Sequence, residues 1–87
     1  MPRIFIPSPI RPLTNGRAEV DVEGATVREA IDALDRLYPG VRARLRDGDR
    51  LAGALHVSID DVLTKRGLDA PLRPESEVHF LPAIGGG

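Results

Sequence analysis

The stretch Thr26-Val27-Arg28-Glu29-Ala30-Ile31-Asp32-Ala33-Leu34-Asp35-Arg36-Leu37-Tyr38-Pro39-Gly40 decides the fold. Val27, Ala30, Ile31, Leu34, Leu37 and Tyr38 recur at helical spacing, while Arg28, Asp32, Asp35 and Arg36 fall elsewhere on the wheel. Thr26 and Glu29 form a capping box: Thr26 accepts from the Glu29 amide, and Glu29 reaches back to the Thr26 amide. Arg28, Asp32 and Arg36 make an i,i+4 charge ladder along the exposed side. Pro39-Gly40 ends the helix. One amphipathic helix of this length needs a single apolar surface to cover.

The flanking segments supply that surface as strands. Upstream, Arg17-Ala18-Glu19-Val20-Asp21-Val22-Glu23 alternates, with Ala18, Val20 and Val22 on one side and four charges on the other. Gly24-Ala25 separates it from the helix. Arg3-Ile4-Phe5-Ile6 is an earlier strand, stopped by Pro7 and Pro9 because proline cannot donate to a ladder. Ser8 to Gly16 reads as an extended loop closing in an Asn15-Gly16 turn. Downstream, Val41 and Leu45 anchor a further helical turn before Asp47-Gly48. Leu55-His56-Val57-Ser58-Ile59 alternates as a strand, Asp60-Asp61 turns, and Val62-Leu63 returns. Gly67 to Leu72 connects through buried leucines, and Glu77-Val78-His79-Phe80-Leu81 is the last strand, ended by Pro82. The order β-β-α-β-β-β is an α+β architecture. A β-grasp (ubiquitin-like) roll is its compact solution: a mixed sheet under one main helix, with the first and last strands parallel at the centre.

Size and composition narrow the function. Eighty-seven residues form one small domain, which removes only about 60% of its unfolded surface from water. Residues 1–82 are expected to form it, with 83–87 a flexible Gly-rich C-terminal tail. Lys+Arg is 12 and Asp+Glu is 13, so net charge is -1. No field of one sign favours nucleic acid or an anionic membrane. Cysteine is absent, which removes thiolate metal sites and a Cys nucleophile. The start, Met1 to Pro7, lacks a signal-peptide apolar region, and no apolar run approaches membrane length, so a cytoplasmic location is expected.

No catalytic set can be assembled from the side chains. His56 and His79 lie on strands without a Ser/Asp grouping nearby, so a structural or surface role is the plainer reading. Asp60-Asp61 reads as a turn rather than a metal site. The prolines around Pro12 stiffen a loop more readily than they present a recognition motif. Arg42, Arg44, Arg46 and Arg50 are interrupted by Asp47 and Asp49, so they read as a solvated face. The expectation is no resident metal or cofactor and no turnover of its own.

The end of the chain remains. Ala83-Ile84-Gly85-Gly86-Gly87 reaches roughly 15 Å when extended. Ile84 is one apolar anchor, and Gly85, Gly86 and Gly87 lack Cβ atoms, so they pass through a channel too narrow for side chains. By itself, such an end is ordinarily frayed chain. Its context differs: the element order, with Gly67-Leu68-Asp69-Ala70-Pro71-Leu72 leading to Ser76-Glu77-Val78-His79-Phe80-Leu81-Pro82-Ala83-Ile84-Gly85-Gly86, resembles the ubiquitin-like sulfur carriers. These include the molybdopterin synthase small subunit, the thiamine-pathway carrier and the thiocarboxylate-dependent cysteine-pathway carrier. Leu37-Tyr38-Pro39-Gly40-Val41 and the acidic-apolar second strand also look like that family.

The resemblance implies a carrier mechanism. A ubiquitin-activating-type adenylyltransferase would thread the tail to its own ATP and Mg²⁺ and adenylate the terminal carboxylate. A sulfur donor would then displace AMP, and the resulting thiocarboxylate would pass sulfur to an acceptor synthase. Activation splits one hard acyl transfer into two easier steps. The family ends in two glycines and this chain in three, so either Gly87 is the reactive residue or it is trimmed to expose Gly86. Ile6 to Gly16 looks more like the cysteine-pathway carrier than the molybdopterin subunit, whose Phe-Ala-x-x-Arg segment is missing. A cysteine-type pathway is favoured, with the molybdopterin and thiamine pathways left open.

Strand parity gives a docking face. If Ile4, Ile6, Val57, Ile59, Val78 and Phe80 face the helix, then Phe5, His56, Ser58, His79 and Leu81 face away and together form an exposed, partly apolar partner surface. Two alternatives carry the same residues: a protein modifier whose tail is joined to target lysines, and an interaction module whose tail is inert.

Overall fold

The computed structural model describes residues 1–53 and 55–82. Ala54 and the tail, 83–87, lie outside the described residues, so the reading of residues 83–87 as a flexible tail lies there too. Five strands form one mixed sheet: β1 (Arg3–Phe5), β2 (Glu19–Asp21), β5 (Leu55–Ile59), β6 (Val62–Thr64) and β7 (Glu77–Pro82). Their order across the sheet is β2-β1-β7-β5-β6. β1 and β7 run parallel, with Ile4 opposite Val78, and the other pairings are antiparallel. Helix α1 (Val27–Leu37) crosses one face, followed by α2 (Val41–Leu45) and a small hairpin of β3 (Arg46–Asp47) and β4 (Arg50–Leu51). This is the β-grasp roll.

The core lies between α1 and the inner face of the sheet. Val27, Ala30, Ile31 and Leu34 of α1 meet Ile4, Ile6, Val20, Val22, Val57, Val78 and Phe80, all buried. Ile59 sits partly buried at the margin. Strand parity therefore places the inward set, and α2 closes one end with Val41 and Leu45.

Several details depart from the sequence reading. The Thr26 hydroxyl accepts from the Glu29 amide at 3.2 Å, but Glu29 Oε1 accepts from Ala25 rather than Thr26, at 3.1 Å. The carboxylate thus caps the preceding residue. Leu37, expected on the apolar stripe, is 60% exposed. α1 ends there, and the chain turns through Pro39-Gly40 so that Val41 fills the core instead. The Arg28–Asp32–Arg36 ladder does not form. Arg28 binds Asp49 and Asp69, each at 3.2 Å, and Asp32 binds Arg46 at 2.7 Å and Arg42 at 3.3 Å. Neighbouring elements bring these partners to the helix surface, and they supplant the local pairs. Arg46, expected in a solvated face, consequently has only 14% of its side chain exposed.

Ser8–Thr14 is a 3-10 helix rather than an extended loop. Pro9 and Pro12 are compatible with either form because their φ suits both. The choice is made by burial of Ile10 and Thr14, and by the Thr14 hydroxyl, which lies 3.1 Å from the Arg11 carbonyl and 2.9 Å from that of Arg17. Asn15 and Gly16 then turn with positive φ. The second strand is shorter than its alternation, with only Glu19–Asp21 in register with β1, and Ala18 is exposed although its carbonyl still accepts from the Ile6 amide at 2.8 Å. Asp60 and Asp61 both adopt left-handed φ, 51° and 69°, which is the two-residue turn that matches strand twist.

Candidate functional site

The candidate site is the end of β7 with the sheet face turned away from α1. β7 is the middle strand of five, bonded to β1 on one side and β5 on the other. Its start is clamped by Asp60, whose Oδ1 accepts from the Glu77 amide at 2.9 Å while the Asp60 amide donates to the Glu77 carbonyl. The turn carboxylate therefore seats the strand. Ser76 is buried, its hydroxyl accepts from the Arg73 amide at 2.8 Å, and its carbonyl accepts from the Arg3 amide at 2.9 Å. β7 ends at Pro82, opposite Leu55. β1 holds β7 as far as His79 and β5 holds it through Pro82, so the strand end is mounted on its β5 edge.

The outer face reads as rows. One row crosses all five strands as Glu19, Phe5, His79, Ser58 and Leu63, by direct register. At about 4.8 Å per strand it is about 19 Å long. Within it the Phe5 and His79 rings stack with centroids 4.1 Å apart and planes 10° from parallel. The next row toward the end of β7 pairs His56 with Leu81. The row on the other side sets Arg3 between Asp21 and Glu77.

Charge rims this face at the β2 edge. Arg3 Nε donates to Asp21 Oδ1 at 2.9 Å, and its Nη1 lies 3.5 Å from Glu19. The hydrogen bond to Arg3 holds the Asp21 carboxyl below its usual range, and the same bond raises the Arg3 guanidinium. Both groups are solvent-exposed, so the pair tidies the rim more than it stabilises the fold.

The structure brings together the five residues read from parity, with one correction. His56 is exposed and Leu81 is 39% exposed, while Phe5 and His79 are half-buried against each other. Ser58 is buried, not exposed. Its short side chain lies between cross-strand neighbours His79 and Leu63, both larger. Leu63 was missed: it is 63% exposed and extends the same row. Its parity opposite Ser58 was a usable signal once β5 and β6 were read as a hairpin. Gly85, Gly86, Gly87 and Ile84 lie outside the described residues. Among the described residues no cluster of three or more His, Asp or Glu could hold a metal, and no helix is long and apolar enough to cross a membrane.

The model of the ThiS family matches residues 4–87, nearly the whole chain and all of its glycine run. The chain belongs to the ThiS family. This is the ubiquitin-like sulfur carrier family that the last strand and tail resemble. Sulfur carrier protein CysO of Mycobacterium tuberculosis is 33% identical over 90 residues, spanning 97% of this chain and 96% of that protein. A chain of the Amycolatopsis orientalis BexX/CysO complex superposes with a TM-score of 0.89 at 31% identity, covering 100% of both chains. SAMP1 of Haloferax volcanii superposes at 0.71 with 25% identity, covering 99% of this chain and 98% of that one.

Proposed function

We propose that this protein is a sulfur carrier of the cysteine-type pathway, working through the glycine carboxylate that closes its sequence. The observation that carries the reading is the family match over residues 4–87, which takes in the sheet, the helix and the glycines together. The 33% identity to CysO favours the cysteine-type pathway over the molybdopterin and thiamine ones.

The chemistry follows from the tail. A carboxylate is a poor acyl donor, because the leaving group would be oxide. Attack of a Gly87 oxygen on the α-phosphate of ATP releases pyrophosphate and leaves an acyl-adenylate. A sulfur donor then adds to the carbonyl carbon, AMP departs, and a thiocarboxylate remains. ATP, Mg²⁺ and the catalytic groups belong to an adenylyltransferase of the ubiquitin-activating type. The carrier contributes three things: β7 as a fixed base, five residues without bulk beyond Ile84, and a docking face. Phe5, His79, Leu81, His56 and Leu63 are that face, with Ser58 as its floor. Gly87 is the reactive residue, or Gly86 after removal of one glycine.

ATP–pyrophosphate exchange by the activating protein tests this. Exchange should depend on the full chain and vanish when Gly86-Gly87 is deleted. Exchange that persists after the deletion would leave the glycines without this role. The likeness to SAMP1, a small archaeal modifier protein, favours a second reading, conjugation of the same activated tail to target lysines. Isopeptide adducts in cell extract would distinguish it.

A further inference from the structure

Where β1 and β7 end, the layers of the roll part and an apolar cleft of about 300 Å³ opens between the 3-10 helix and α2. Ile10 and Phe80 are nearly fully buried in it, 6% and 5% exposed, and form its floor. Pro7, Pro9 and Leu55 make its walls, and Arg44 of α2 stands at the rim. This volume is the lower bound for small-ligand sites, so the cleft suits one or two side chains rather than a cofactor.

Position and charge narrow the occupant. Leu55 is the register partner of Pro82, so the cleft adjoins the last described residue of the strand that carries the tail. Successive residues of β7 alternate, with Phe80 in the cleft and Leu81 on the outer face. The strand end thus offers apolar surface on both sides. Arg44 is the single charged residue lining the cleft, and no carboxylate lines it among the described residues. Arg28, Arg42 and Arg46 are each matched by an aspartate, whereas Arg44 makes no ion pair among the described residues.

We propose that this cleft is a second docking site, which receives an apolar side chain flanked by a carboxylate on an extended segment of the protein that handles the tail. The apolar side chain displaces water from Pro9, Ile10, Leu55 and Phe80, and the carboxylate meets Arg44. A basic segment would meet the same guanidinium without compensation. Together with the outer face, such a partner straddles the end of β7 and fixes the direction in which the tail leaves. The identity of the segment's owner rests on the sulfur-carrier reading, but the chemistry of the cleft does not.

Methyl NMR of the full chain tests it, with the dipeptides Ac-Leu-Glu-NH₂ and Ac-Leu-Lys-NH₂ as probes. The glutamyl peptide should shift the Ile10 and Leu55 methyl signals and bind about two- to five-fold more tightly than the lysyl peptide, the range of a solvent-exposed ion pair. Arg44→Glu should reverse the order, and its signals away from the cleft report that the fold is kept. Equal binding of both probes, shifts confined to the outer face, or no reversal in Arg44→Glu would overturn the proposal. So would self-association at the cleft, seen as concentration-dependent shifts. A change in the same methyl signals on deletion of residues 83–87, with no probe present, would assign the cleft to this chain's own tail instead. None of these readouts involves adenylation or sulfur, so failure here is distinct from failure of the carrier reading.

Discussion

Leu81 offers the sharpest perturbation of the docking face. It is 39% exposed in the free protein. Burying a leucine completely is worth about 1.5–3 kcal/mol, so the share still in water amounts to about 0.6–1.2 kcal/mol. If the activating protein covers this residue, Leu81→Ala should weaken docking about three- to eight-fold. Leu81→Asp should do more, because a carboxylate pressed against an apolar partner surface costs at least about 2 kcal/mol, or about 30-fold. The part of Leu81 already covered by its own sheet is worth about 0.9–1.8 kcal/mol, so either change should lower stability by about that much while the fold is kept. The assay is ATP–pyrophosphate exchange against carrier concentration, paired with a thermal melt. Glu75→Ala, an exposed change in the turn before β7, serves as control. The loss should fall on apparent KM, with the melt lowered but still a single cooperative transition well above the assay temperature. Wild-type exchange by a folded Leu81→Asp protein would refute the placement of this face at the interface.

Other consequences test other parts of the account. Gly24→Ala puts a Cβ 2.7 Å from the Ala30 amide nitrogen and 2.9 Å from its Cα, contacts that only backbone movement at the start of α1 can relieve. A loss of about 1–3 kcal/mol in denaturant unfolding is expected, and an unchanged midpoint would contradict the close approach. Thr14→Val keeps the shape but removes the buried hydroxyl that reaches the Arg11 and Arg17 carbonyls, and should cost about 1–3 kcal/mol by the same measurement. The lowered Asp21 carboxyl contributes stability that is present above the ordinary carboxylate value, about 4, and lost as pH falls through its folded value. The acid limb of a pH–stability profile should therefore flatten slightly in Asp21→Asn, and an identical limb would refute the link.

Much of this architecture is legible locally. Thr26, Glu29 and the apolar stripe define α1 because cap and periodicity agree within one segment. Strand alternation separates Ile4, Val57, Val78 and Phe80 from Phe5, His56, His79 and Leu81 without any knowledge of the partner strands. What is not local is what the sequence reading missed. Pro9 and Pro12 permit both an extended and a 3-10 backbone, and only the burial of Ile10 and Thr14 selects the latter. Arg28 and Asp32 find partners on the β3–β4 hairpin, on α2 and beyond, which no i,i+4 rule contains. Ser58 is covered by larger cross-strand neighbours, although parity alone would expose it. The cleft at the end of β7 is assembled from four separate segments and has no linear signature. The glycine run was visible at once, but its meaning came from the family rather than from spacing.

The central claim is that the last glycine of this chain exchanges a carboxylate oxygen for sulfur. Intact-protein mass spectrometry measures this directly, after the full chain is incubated with ATP, Mg²⁺, sulfide and its activating protein. The account predicts the mass gain of a single oxygen-to-sulfur exchange, located on the C-terminal glycine and absent without ATP. An unchanged mass under conditions where the activating protein loads another carrier would contradict it.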